Sequence, residues 1–456
     1  MATIALDADV AQPMRIHPPG LWTLAATELW DRASFYGMQA LLILYMTQYL
    51  LLPGRAAHVV GLSSLSSAIA VFRGHLSVEG QATQIFALYV TALGLLPLIG
   101  GWLGDRFISR RAGVIGGASL MSLGHLSLGF TQTFLIGLML VLVGAGLLRG
   151  NVTPQLRALY DAQDPRTAEA FQIFYLTVSA GGFISPLIIG IVNDRYGFHP
   201  AFAIAAAGML VGLVWYVLRM KTLPPDPPRA RRGSEHSALS GGEKRNLVLL
   251  AFFLVVPLSF WMAQVQIWNI YNIWVNDRVD RNVDGFRIPV PWLQSLDSLA
   301  PMVMAVGAIF YWRRGVPTAE NYGRMIWGCL LFGMGMLVLA GAPWVAGRET
   351  NIPIVLPLAF HIIANAGWVL FVPTCAAFIA TYSPERWRGT MLGLNLLTMS
   401  IAGFLSGPLS GIYEERGPTF FWTVIALVPI IGGAVLLAAT PLLRRLLMPI
   451  EGAQLK

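Results

Sequence analysis

A chain of 456 residues in which 55% are hydrophobic and only 12% charged is too apolar for a soluble domain, since soluble domains carry about a quarter charged residues. The formal net charge of +8 does not call for nucleic acid, because basic loops beside a membrane face an anionic leaflet. Only two cysteines are present, Cys329 and Cys375, both in apolar stretches; they argue against a disulfide framework or a zinc site and read as small buried hydrophobes.

The residues before His17 are mixed and polar, without a basic stretch followed by a short apolar core, so no cleaved signal peptide is expected. A membrane crossing needs roughly 20 predominantly apolar residues. Such runs lie at 21–50, 80–103, 112–130, 133–160, 168–192, 199–219, 246–275, 291–312, 323–345, 353–382, 388–412 and 419–442. The sequence therefore predicts an all-α membrane protein of twelve spans. With the N-terminus cytoplasmic, about two-thirds of the Lys and Arg fall on inner segments and about a quarter on outer ones, the bias expected of inner loops. Both termini and the segment 220–245 are accordingly predicted to be cytoplasmic. That segment holds four prolines and a basic, turn-rich run. It reads as a linker between a first six-span group (1–219) and a second (246–456). The long outer segment 53–79 has no assigned role.

The first span contains E-L-W-D-R-A-S-F-Y-G, from Glu28 to Gly37. Each charge at membrane depth costs at least ~2.5–3.5 kcal/mol on insertion scales, so such residues are kept mainly for function. Glu28, Asp31 and Arg32 are spaced i, i+3, i+4 and share one helix face, which sets two carboxylates beside one guanidinium. After the second span comes G-G-W-L-G-D-R, Gly100 to Arg106, whose glycines permit close helix approach. Asp105 and Arg106, with Arg110 and Arg111, are candidates to tie the inner helix ends together. The fourth span carries G-A-G-L-L-R-G-N (Gly144–Asn151), the fifth F-Y-L-T-V-S-A-G (Phe174–Gly181), and the eighth begins with Q-S-L-D (Gln294–Asp297). The tenth ends in S-P-E-R-W-R-G, from Ser383 to Gly389.

In order and along most of the chain, these segments resemble the motifs of the proton-dependent oligopeptide transporter family within the major facilitator superfamily. The resemblance implies two six-helix bundles and proton-driven inward transport of peptides by alternating access. It also marks departures. Asp31 stands where the family's first motif has a second glutamate, and Gln39 where an arginine often follows. Arg149 replaces the fourth-span lysine, and Ser179 replaces the fifth-span asparagine. Aligning Pro373 with the family's tenth-span proline puts Trp368 in place of a glutamate that holds a peptide's amino group. Asp297 replaces an asparagine and is a candidate to return that negative charge.

From these features Glu28, Asp31 and Arg32 are expected to couple protons. Arg32, Tyr36, Gln39, Arg149, Ser179, Gln264, Asn269, Asp297 and Trp368 are expected to contact solute. For Arg32 and Arg149 a fixed structural ion pair is the competing reading. For Asp297 the alternative is an exposed helix-end carboxylate, and for Phe35, Trp268, Tyr271 and Trp292 it is packing or an interface belt. For Gln264, Gln266 and Asn269 interhelical hydrogen bonding is the competing reading. His125 and His361 read as satisfied core histidines. No nucleotide-binding loop or catalytic triad is apparent, so neither an ATP-driven pump nor an enzyme is expected. No cofactor beyond the coupling proton and no metal is expected. The expected protein is a monomeric secondary transporter in a bacterial inner membrane, moving a peptide-like or modified amino-acid solute with an anionic group. Proton-antiport export of a peptide-derived product or drug is the alternative.

Overall fold

The computed structural model describes residues 17–161, 164, 166–226, 240–313 and 321–447. The polar N-terminal segment before His17 and most of the basic run in the 220–245 linker lie outside them. The helices are α1 (Pro19–Tyr45), α2 (Leu62–Arg73), α3 (Val78–Arg106), α4 (Arg110–Leu128), α5 (Phe134–Arg157), α6 (Arg166–Tyr196) and α7 (Phe198–Arg219). After the linker come α8 (Gly241–Phe253), α9 (Val255–Gln264), α10 (Ile270–Arg278), α11 (Val290–Arg313), α12 (Asn321–Ala346), α13 (Val355–Tyr382) and α14 (Glu385–Leu446). Their starts follow from local chemistry. Pro19 opens α1, where its missing N–H leaves no hydrogen bond unmade. The Ser77 and Ser109 hydroxyls accept the exposed N–H groups that begin α3 and α4. Ser240 and Glu243 form a reciprocal capping box on α8.

These helices fall where the twelve spans were expected. Among the described residues eight stretches are long and apolar enough to cross a membrane, one of them the 60 residues Trp387–Leu446. At 1.5 Å per residue those 60 residues far exceed a hydrocarbon layer of about 30 Å. Gly417 (φ 81°) breaks them into the eleventh and twelfth spans, a left-handed conformation open mainly to glycine. The first span continues from α1 into a π-helical turn, Met46–Leu50. The seventh span is interrupted, with a 3-10 turn (Val265–Trp268) and then Asn269 at φ −113°, ψ −106° separating α9 from α10. The outer segment 53–79 contains the short helix α2. Four two-residue strands follow the seventh span and precede α13. β1 (Val279–Asp280) pairs in parallel with β4 (Ile352–Pro353), while β2 (Asn282–Val283) and β3 (Phe286–Arg287) form a hairpin. Asp284 and Gly285, both at positive φ, make its turn, as an Asp-Gly pair favours.

Before the linker, α1 packs on α6 and α7, α3 on α5, and α4 on α5 and α7; after it, α12 packs on α13 and α14, and α14 on α9. The two groups meet through α3 against α14 and α6 against α11. The Ser77 hydroxyl donates to Glu414 at 2.6 Å, Gly94 faces Ser400, and the Trp292 indole donates to the Leu187 carbonyl at 3.0 Å. Ser77 and Trp292 stand at the starts of α3 and α11, Leu187 in the second half of α6 and Glu414 just before the Gly417 break, while Gly94 and Ser400 meet near the middle of their spans. The joined end of the bundle is therefore the end remote from both chain termini and from the linker.

The G-G-W-L-G-D-R segment performs the close packing expected of it. A Cβ on Gly100 would lie 2.1 Å from the Gly146 carbonyl oxygen, and one on Gly150 would lie 2.4 Å from the Gly101 nitrogen. Asn151 of α5 donates to the Gly100 carbonyl at 3.0 Å. Gly100→Val should therefore push α3 off α5 and destabilise the protein by about 1–3 kcal/mol. Gly116→Ala, at a site with nothing within 4 Å, should leave the unfolding temperature of the detergent-purified protein unchanged. Equal melting of the two variants would contradict this packing. Cys329 and Cys375 are buried free thiols, as expected.

Candidate functional site

The first-span charges converge as their spacing predicts. The Arg32 Nε donates to Glu28 at 2.7 Å and lies 3.6 Å from Asp31. Asp31 is fully buried and Glu28 is 2% exposed. A second cation arrives from another helix, the Arg149 Nε of α5 donating to Asp31 at 3.1 Å. Two carboxylates and two guanidiniums thus form one formally neutral cluster, with Asp31 between the arginines. Neutrality within hydrogen-bonding distance is what makes burial of four charges tolerable; removing one partner of such a pair typically costs about 3–5 kcal/mol. Gly181 lets α6 lie directly on this part of α1, since a Cβ there would be 2.9 Å from the Arg32 Cβ.

The cluster is short of partners. Asp31 Oδ1 and Arg149 Nη2 are both buried without a hydrogen bond. A buried acceptor and a buried donor left open cost about 1–3 kcal/mol each. They are complementary to a proton and to an anionic group, respectively. The Arg149 guanidinium lies 4.0 Å over the Phe35 ring, and Phe35 stacks on Tyr89. Tyr36, beside Phe35, reaches across the interface to Trp268 of the second group, ring centres 5.6 Å apart. The aromatic residues read as packing candidates therefore form a bridge from the charge cluster to the interrupted seventh span.

That interruption gathers amides. Asn269 is fully buried, and neither of its side-chain polar atoms has a protein partner. The same is true of both polar atoms of Gln266, so neither side chain makes the interhelical hydrogen bond that is the competing reading for these amides. Gln264 is partly exposed, with its Oε1 unpaired. Gln294 of α11 donates to the Ile267 carbonyl at 2.7 Å and to Asn272, holding the broken backbone. Non-helical backbone at membrane depth is tolerated where it lines a cavity or is buried in protein.

Asp297 is not an exposed helix-end carboxylate. Its side chain is 8% exposed and its Oδ1 accepts from His361 Nδ1 at 2.8 Å and from Asn365 at 3.3 Å. His361, Asn365 and Trp368 are spaced i, i+4, i+7 on α13 and share one face. Asp297 therefore meets the helix face that carries Trp368, whose side chain is half-buried. Gln39 and Ser179 are buried on α1 and α6. Among the described residues neither is hydrogen-bonded to the four charges, and Gln39 Oε1 has no partner.

Two readings are corrected here. Arg106 does not tie the helix ends; it is exposed and lies over Trp102 of its own helix. Asp105 instead accepts from Arg110 at 3.1 Å. Arg111 makes the long-range tie, donating to the Leu223 and Pro224 carbonyls at 2.6 and 2.9 Å. His125 is buried, but neither ring nitrogen has a partner, so it is not a satisfied core histidine. His361 is satisfied, but by a site residue, and its i, i+4, i+7 relation to Trp368 was the signal available in the sequence.

A family profile described as Major Facilitator Superfamily matches residues 51–408. The chain is 26% identical to the uncharacterized transporter YclF of Bacillus subtilis, over 94% of this chain and 95% of that protein. It is 24% identical to the peptide transporter YePEPT of Yersinia enterocolitica, over 96% and 97%. Among solved structures, a peptide transporter POT in complex with alafosfalin superposes with a TM-score of 0.81 at 23% identity, covering 96% of this chain and 97% of that one.

Proposed function

The chain belongs to the Major Facilitator Superfamily, and on that footing we propose that it is a proton-coupled secondary transporter of a peptide-like or modified amino-acid solute. The membrane it serves in this reading is a bacterial inner membrane. The resemblance to oligopeptide transporters read from the motifs is borne out by relatives and structural neighbours of that name along more than nine-tenths of the chain.

One observation carries the reading: the buried cluster of Glu28, Asp31, Arg32 and Arg149, with one open acceptor and one open donor. A solute carboxylate engaging Arg149 would compete with Asp31 for the guanidinium, favouring bidentate contact. Asp31, released from Arg149, is then free to share a proton with Glu28, whose guanidinium partner is Arg32. Loss of the proton restores the Asp31–Arg149 pair and expels the solute. Substrate and proton are coupled because they share one arginine. Tyr36, Gln39, Ser179, Gln264, Asn269, Asp297 and Trp368 would complete the solute's surroundings, with Asn269 at the break offering unpaired amide atoms. Counterflow in proteoliposomes, with and without an imposed proton gradient, tests this. Exchange stimulated by acid outside supports symport, whereas uptake driven by acid inside indicates the antiport alternative.

The joined end of the bundle bears on the state. If the Lys and Arg bias sets the orientation, that end is the outer one and the structure is open toward the cytoplasm. Cysteines introduced at Ser234, in the linker, and at Asn282, in the hairpin, should react with a membrane-impermeant thiol reagent from opposite sides. Same-side labelling would contradict the twelve-span orientation.

A further inference from the structure

We propose that Asp297 and His361, with Tyr271, form a second proton-binding site in the C-terminal helix group, independent of the charges on α1 and α5. The three groups stand in line on three elements. Asp297 of α11 lies 2.8 Å from His361 Nδ1, and His361 Nε2 lies 2.8 Å from the Tyr271 hydroxyl of α10. In the neutral imidazole, Nδ1–H donates to the carboxylate and Nε2 accepts from the tyrosine. In the imidazolium both nitrogens donate, and the tyrosine oxygen accepts after its hydroxyl hydrogen rotates away. A hydroxyl serves in either role. The same heavy-atom arrangement thus holds one proton more or one fewer without breaking a hydrogen bond.

The surroundings leave the proton as the available counter-charge. Asp31 has two arginines, but no lysine or arginine lies within 4.0 Å of the Asp297 carboxylate among the described residues. Facing the imidazole, α11 contributes Asp297 and α10 contributes Tyr271. From α13 come Phe360, whose ring centre is 4.8 Å from that of His361, and Asn365, which is bonded to Asp297. On the far side of Tyr271, α14 places Trp422. Asp297 and Tyr271 are therefore the titratable groups in contact with His361 among the described residues. His361 itself is 1% exposed, and Asp297 Oδ2 is buried without a partner, so the cluster lacks one donor. A proton or a solute ammonium satisfies that oxygen, and the two would compete for it. Tyr271 stands two residues beyond the break at Asn269 and three beyond Trp268, which touches Tyr36 of the other group. Proton occupancy at His361 is thereby attached to the segment that joins the halves.

The site is tested without knowing the solute. Full-length protein labelled with 15N-histidine is reconstituted in lipid nanodiscs, and His361 is assigned among the seven histidines by its loss in His361→Asn. The wild-type His361 signal should pass reversibly between neutral and doubly protonated forms as the sample is cycled between alkaline and acid buffer. Asp297→Asn should displace the midpoint by about one unit or more, a tenfold change in proton affinity. Glu28→Gln should leave it in place even if the coupling role of the α1 cluster is wrong. A signal fixed in one form throughout, an unmoved midpoint in Asp297→Asn, or a midpoint that shifts with Glu28→Gln would each overturn the proposal.

Discussion

Glu28→Gln and Asp31→Asn should each abolish accumulation of solute against its gradient, while counterflow survives in at least one of them. An amide cannot cycle a proton, yet it keeps the size and the hydrogen-bonding reach of the acid. At Asp31 the expectation is sharpest. Its Oδ2 is shared between Arg149 at 3.1 Å and Arg32 at 3.6 Å, so Asp31→Asn leaves the cluster with one surplus positive charge in a buried place. That charge should tighten binding of an anionic solute while removing its release step, lowering turnover in both modes. Glu28→Gln leaves the same surplus charge but removes the 2.7 Å pair with Arg32 and keeps the Asp31–Arg149 pair, so it is the variant in which exchange should persist. Measured as the ratio of internal to external label, accumulation should fall from well above one to one in both variants. If both still concentrate solute, coupling resides elsewhere.

The second large effect concerns specificity. With tryptophan at 368, α13 offers no carboxylate to a free amino terminus. The nearest acid that the structure brings to the same helix face is Asp297, held by His361 and Asn365. From 361 to 368 the helix rises about 10 Å, and from 365 about 4.5 Å, so the acid meets α13 displaced along its axis from Trp368. An amine bound by Asp297 would therefore sit differently from one bound at position 368. Wild-type uptake of dialanine is expected to be weak, and a larger, blocked or aromatic solute able to stack on Trp368 should be preferred. Trp368→Glu combined with Asp297→Asn should shift preference toward dialanine by about tenfold, equivalent to about 1.4 kcal/mol. The single Trp368→Glu change should shift it less, because Asp297 then remains as a competing acid for the amine. Strong wild-type dialanine uptake that is unaffected by Asp297→Ala would contradict this account.

The parts of the site that were legible in the sequence are those set by spacing within one helix. Glu28, Asp31 and Arg32 lie four residues apart at most, so helical geometry alone fixes their meeting. The twelve spans follow from apolar run length, and the Gly100 and Gly150 contacts from small residues at helix ends. What was not legible depends on how separate helices are placed. No local pattern says that Arg149 reaches Asp31 rather than a solute, or that Arg111 rather than Arg106 crosses to the end of the sixth span. The break at Asn269 escaped because V-Q-I-W-N-I-Y has no proline or glycine; the broken backbone is held by Gln294 from another helix, a tertiary cause. His361 is the satisfied core histidine expected, but the identity of its partner was not legible, since Asp297 lies 64 residues away in sequence. The Asp284–Gly285 turn, by contrast, is a local signal, an Asp-Gly pair that favours a hairpin.

Coupling of the solute to the proton gradient is tested most directly by uptake into proteoliposomes of the wild-type protein, with acid imposed outside. A radiolabelled panel of aromatic, N-blocked and acidic dipeptides, with dialanine for comparison, supplies the probes. The account predicts that at least one aromatic or blocked member accumulates above its external concentration, up to about tenfold per pH unit for each proton carried. A protonophore should collapse that accumulation to equality, and Glu28→Gln should never exceed it. Uptake of every transported member that stops at equality with the gradient intact, or accumulation that survives the protonophore, would contradict it.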